Sequence, residues 1–257
     1  MNPYSILYHT ELPRVSKNGN YQPLFQDIPP TAQKLVVMLT QLGDFDSLEY
    51  AWWIQRERNR PEFQNIAIRA VGIGHLASGQ KFCDYTGFPP EELFVTPNGE
   101  LHQKLGLYSG LSMQLPGLSS GQQAWVNLML MCAGMGSPGT LGEVLRGYSG
   151  DRTAPQLIDN EEVIKGTPLP QFKGSFFKFA GGEGFQRPFE LATLRLRNMT
   201  EVLSNWKTYV PNAAYLTQRG GTFWFDKHGE LIYEHRDQGV LGFAENMNDP
   251  LSFIKES

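Results

Sequence analysis

Residues 34–57, "KLVVMLTQLGDFDSLEYAWWIQRE", constrain the fold more than any other stretch of the chain. Residues 34–39 form a compact apolar run without polar alternation, the pattern of a strand covered on both faces. Gly43 then turns the chain into a helical pattern. Asp46 is a good N-cap, and Glu49 three residues on gives a capping-box arrangement. Leu48, Ala51, Trp52 and Gln55 share one face, and Pro61 closes the segment. A strand buried on both sides and followed at once by a helix implies a layered α/β sheet.

The flanking sequence extends that pattern. "NIAIRAVGIG" (65–74) reads as a second apolar strand. "LASGQKFCDYTG" reads as a short helix with Ser78 as N-cap and Gly87 as terminator. Residues 92–108 give a strand, a Pro-Asn-Gly turn and a short helix. Near the end, "TFWFD" and "ELIYEH" flank a Lys-His-Gly turn as a hairpin. Residues 1–30, with Pro29 and Pro30, read as an N-terminal extension holding a short helix or strand near residues 5–12. Residues 31–257 read as one domain.

Residues 109–219 are too long for a loop and must carry their own structure. "AWVNLMLMCAGMG" (124–136) is a dense apolar helix, and Ser137-Pro138 starts another. Residues 150–187 look irregular. Pro188 opens the clearest helical pattern, with Leu191, Leu194, Met199, Val202, Leu203, Trp206 and Val210 on its apolar face. The expectation is a mostly helical insertion ahead of the C-terminal hairpin.

A net charge of −4 argues against broad binding to a nucleic-acid backbone, which needs a basic face. No apolar run reaches the ~20 residues that span a bilayer, and the N-terminus has no signal-peptide pattern. Two cysteines are too few for a disulfide scaffold, so the expected setting is reducing and cytoplasmic. None of the five histidines forms a metal-binding pair at helical spacing, and "AVGIG" and "AGGEG" fall short of a nucleotide-binding pattern. No metal or cofactor is expected.

"AVGIG", "FCDYTGFP", "LHQKLGLY" and "GGTFWFD…LIYEHRD", in this order and spacing, resemble the peroxiredoxin-like AhpC/TSA family of thioredoxin-fold proteins. The resemblance implies a central mixed sheet flanked by helices. The 109–219 segment looks like the longer form found in cyanobacteria and plastids, which implies a protein partner in a photosynthetic or thylakoid-surface assembly. The family usually carries Gly-Cys-x-x-Cys after the first buried strand. Here that stretch is Gly43-Asp44-Phe45-Asp46-Ser47, with Asp44 at the nucleophile's place and Ser47 at the resolving cysteine's. The facing strand opens Gly220-Gly221-Thr222 without the cis-proline that usually stands there. Gly43, Asp44, Phe45, Asp46, Ser47, Gly221 and Thr222 are therefore a vestigial redox site.

A carboxylate cannot exchange with a disulfide or form a sulfenic acid. The expected function is a non-catalytic protein-binding or assembly factor, with residues 43–47 either capping a helix or serving also as a contact tip. The alternative is a thiol-dependent antioxidant peroxidase or reductase using Cys83, although the contexts of Cys83 and Cys132 read as core. Phe176, Phe177, Lys178, Phe179, Phe185 and Arg187, an aromatic run with two cations, are the candidate partner-binding element; packing of the insertion against the sheet is the competing reading. A carrier with a small-molecule or lipid pocket between sheet and insertion rests on aromatic content alone.

Overall fold

The computed structural model describes residues 2–16, 19–166 and 169–255. The apolar runs form one five-stranded sheet: β1 (Gln33–Gln41), β2 (Ile66–Ile73), β3 (Leu93–Thr96), β4 (Gly221–Phe225) and β5 (Leu231–Arg236), in the order β3-β2-β1-β4-β5. β1, β2 and β3 run parallel, and β4 and β5 are antiparallel to their neighbours. This is a mixed α/β, thioredoxin-like fold.

β1 is central, and its two faces feed two cores. Leu35, Val37 and Leu39 point into the larger core with α1 (Phe45–Glu57) and α2 (Leu76–Thr86). Val36 and Met38 point into the other with Phe94, Phe223, Phe225 and Leu7, the last from the N-terminal helix Pro3–Tyr8. The continuous apolar run of residues 34–39 follows from that double cover. Each such side chain contributes roughly 1.5–3 kcal/mol by leaving water. Along α1 the buried apolar face is Leu48, Ala51 and Ile54, with Trp53 buried as well. Trp52, placed on that face by spacing, is only half-buried.

The 109–219 segment leaves and rejoins the sheet at one neck. Thr217 Oγ1 donates to the Ser109 carbonyl at 2.9 Å, and the Arg219 N–H to the Tyr108 carbonyl at 2.8 Å. Gly110 sits in this neck at φ 81°, and a Cβ there would come within 2.1 Å of the Thr217 carbonyl oxygen. Only glycine fits so close a backbone approach.

Beyond the neck lie α3 (Ser120–Cys132), α4 (Thr140–Ser149) and α5 (Glu190–Ser204). Residues expected to be irregular include a hairpin, Val163–Gly166 with Leu169–Lys173. The long helix expected from Pro188 to Val210 is interrupted at Asn205, and a separate short helix, Trp206–Tyr209, follows. On α5, Leu191, Leu194 and Val202 are buried as expected, together with Asn198, but Met199 and Leu203 of the expected apolar face are exposed.

Polar ties bind α1 to this segment. Arg195 pairs with the buried Glu49 at 2.7 Å. Arg56 donates to the carbonyls of Gln156 and Leu157, each at 2.6 Å. Among the described residues, no helix is long and apolar enough to cross a membrane.

Candidate functional site

The corner at which the resemblance leads one to expect a redox site lies where β1 ends and α1 begins. Asp44, not Asp46, caps α1: its side chain accepts the Asp46 N–H at 3.2 Å. Asp46 is instead drawn into the first turn and buried, because both its oxygens accept the Leu241 N–H at 2.9 Å. Arg219, just before β4, inserts its fully buried guanidinium between the two carboxylates. Nη2 reaches Asp44 at 2.7 Å and Nη1 reaches Asp46 at 3.2 Å. Nε and Nη2 also donate to the carbonyls of Thr217 and Leu216, both at 3.0 Å.

Asp237, beyond β5, is the third carboxyl of the corner and is buried like Asp46. Its Oδ2 accepts the Gly220 N–H at 3.0 Å. Its Oδ1 has no hydrogen-bond partner among the described residues, with His235 Nε2 3.7 Å away. One guanidinium thus pairs with two carboxyls, while the third is held by the Gly220 N–H. Burial alone would lower Arg219, but Asp44 and Asp46 more than reverse this and raise it. Burial, then repulsion from Asp44, raises Asp46 well above the usual carboxylate range, against the pull of Arg219. Burial likewise pushes Asp237 up to about 8, so it holds its proton at neutral pH.

The remaining residues of the corner pair off. Ser47 Oγ bonds Thr40 Oγ1 at 2.9 Å, and Thr222 Oγ1 bonds the Tyr50 hydroxyl at 2.8 Å. Gly43 and Gly221 are both close-packed: a Cβ on Gly43 would meet Tyr209 at 2.7 Å, and one on Gly221 the His235 carbonyl at 2.8 Å. The cavity shared by Asp46, Ser47, Tyr50, Gly221 and Asp237 is about 10 Å³, roughly the room of one water. The structure therefore brings Gly43, Asp44, Asp46, Ser47, Gly221 and Thr222 together in a close-packed, hydrogen-bonded corner.

A family model described as AhpC/TSA antioxidant enzyme matches residues 53–239. The chain belongs to the AhpC/TSA family. The match begins inside α1, past residues 43–47, and runs through the whole 109–219 segment to the end of the hairpin. Comparison with curated proteins and with solved structures gave no match.

Peroxidase chemistry of the AhpC/TSA kind needs a thiolate. Cys83, on α2, is buried among core residues, and burial with Asp84 and Glu91 nearby pushes its thiol up to about 12. Cys132, read from sequence as core, is only half-buried, and it lies beside the corner. Its thiol is also raised, by burial first and then by Asp44 and Asp46, with Arg219 opposing. Among the described residues, no group of three or more His, Cys, Asp or Glu side chains could hold a metal ion.

The aromatic run chosen as partner-binding element divides in two. Phe176 and Phe179 are exposed, Phe179 at 72%, with ring centroids 4.9 Å apart. Lys178 is tied to Glu183 and Phe185 is half-buried under Arg152. Phe177 and Arg187, however, are not available at the surface. Arg187 is fully buried in an ion pair with Glu190, donates to the Ile158 carbonyl at 2.9 Å and lies over the Phe177 ring. These two residues hold the segment together from inside.

Sequence reasoning missed Arg219, Asp237 and Tyr50. Arg219 left one faint signal, a cation directly before the Gly-Gly of an apolar strand, in a chain with an uncompensated Asp44/Asp46 pair at another strand's end.

Proposed function

We propose that this AhpC/TSA member is a non-catalytic protein-binding factor. Its redox corner is sealed by the Arg219 ion pairs, and the 109–219 segment presents an apolar face to a protein partner. The observation that carries the reading is the guanidinium of Arg219, fully buried between Asp44 and Asp46 where a peroxidatic thiolate and its substrate need open space. The alternative, a peroxidase or reductase using Cys83, has against it a buried thiol pushed up to about 12.

The partner-binding half of the reading draws on α4. Leu141, Val144, Leu145 and Tyr148 follow one another at i, i+3, i+4 and i+7, the spacing of a core-facing stripe. Yet Leu141, Leu145 and Tyr148 are more than half exposed, Leu145 at 67%. Phe189 stands against Tyr148 at 6.3 Å and is itself exposed. Between α4 and α5 runs a groove floored by Phe45, Val144, Ala192 and Leu196. Exposed apolar patches of this kind mark interaction sites. The thylakoid-surface assembly implied by the long family form is the setting in which such a partner would be sought.

The test is capture from native cells with the tagged chain, comparing wild type with Leu145→Glu. The reading expects a specific protein that is held by wild type and lost from the variant, both proteins being equally folded by circular dichroism. Identical capture by the two proteins, or no specific capture, is the contrary result.

A further inference from the structure

A second recess opens beside the sealed corner, on the side toward α3. It encloses about 90 Å³ and is lined almost wholly by apolar groups: Phe45, Trp125, Leu128, Leu203, Trp206 and Leu216 supply most of its wall. Trp125 and Trp206 stack with ring centroids 4.9 Å apart and an interplanar angle of 29°. One polar side chain in this wall is left incomplete. Gln41, from the end of β1, is 2% exposed, and its Nε2 donates to the Asn212 carbonyl at 2.5 Å. Its Oε1 has no hydrogen-bond partner among the described residues. Buried amide oxygens are nearly always paired. An apolar recess with one unpaired acceptor in its wall has the composition of a ligand pocket, in which a few placed polar groups fix orientation.

We infer that this recess binds a small amphiphile whose apolar body is no larger than one ring and which carries a single O–H or N–H donor, the donor completing Gln41 and the body lying against Trp125 and Trp206. The size follows from the volume, below the ~150 Å³ of a closed cavity that takes up benzene, with Leu203 and Met129 of its lining exposed, at 53% and 58%. The single donor follows from the single unpaired acceptor. Charged ligands are disfavoured, since Asp44 at the rim is already committed to Arg219. This inference does not depend on α4 receiving a protein.

Phenol and benzene serve as probes, being matched in size and differing by one hydroxyl. Titration of the full ¹⁵N-labelled chain is followed through the indole N–H signals of Trp125 and Trp206. Phenol is expected to shift both signals saturably, with a Kd at least about fivefold below that of benzene. In Gln41→Met the two probes are expected to bind alike, and in Leu203→Trp, which fills the mouth from an exposed helix position, neither is expected to bind. No saturable shift, equal affinities in wild type, or a phenol preference that persists in Gln41→Met would each overturn the inference. If Gln41→Met fails to fold, unchanged phenol binding by Leu203→Trp overturns it independently.

Discussion

The corner at residues 43–47 and the helix α4 treat polarity in opposite ways. The corner buries charge: Asp46, Asp237 and Arg219 are all removed from water, and every nitrogen of the guanidinium has an oxygen partner. α4 exposes apolar surface, showing Leu141, Leu145 and Tyr148 to solvent at core-facing spacing. A buried charge network tolerates little change, because removing one partner strands the others. An exposed apolar side chain such as Leu145, 67% exposed, tolerates much change as far as folding is concerned. The corner is thus committed to the fold, whereas the apolar side chains most open to solvent stand on α4, outside that network.

The largest effect should come from Arg219→Met. It leaves Asp44 and Asp46 without their shared ion-pair partner and is expected to lower unfolding free energy by about 3–5 kcal/mol, read from urea denaturation. A loss below about 1 kcal/mol would show that the network is not the fastening described. Leu194→Ala, in the buried face of α5, is expected to cost about 2–5 kcal/mol. A much smaller loss there would mean that α5 does not pack as placed.

The Asp237 carboxyl gives the corner a pH signature. Its pKa is raised to about 8 in the folded protein, against about 3.9 in an unfolded chain. The folded state therefore holds a proton that the unfolded state has lost across this window. Stability contributed by the group is fully present below about pH 4, falls as pH rises toward 8 and is flat above. The slope is at most about 1.4 kcal/mol per pH unit. Asp237→Asn, which can still accept the Gly220 N–H, should remove that slope in melts between pH 5 and 8. An unchanged slope would place the titrating group elsewhere. The smallest effect belongs to α4. Leu145→Glu should change stability by no more than about 0.5 kcal/mol, and a larger loss would mean that the stripe is packed and not free.

The contrast also separates what sequence could reveal from what it could not. β1, β2 and the C-terminal hairpin were legible because burial on both faces, or a turn between two strands, leaves a local pattern. The corner was legible in composition and not in geometry. Asp44 and Asp46 stand out, but the sequence points to Asp46 as the cap because capping is a local property. What moves it inward is the Leu241 N–H, 195 residues away, and the Arg219 pair, 173 residues away. Arg187 was taken for a surface cation, yet Glu190 and the Ile158 carbonyl bury it completely. On α5, Met199 and Leu203 were assigned to the core because spacing alone cannot say whether a second apolar face is covered. Their exposure is the more informative outcome, since Leu203 opens onto the recess that holds the Trp125–Trp206 pair.

The central claim is that no thiol chemistry passes through this AhpC/TSA fold. The most direct measurement is steady-state consumption of a hydroperoxide with dithiothreitol as reductant, by wild type and by the Cys83→Ser/Cys132→Ser double variant. The account predicts that both match the rate with no protein. Turnover by wild type that disappears in the double variant would contradict it.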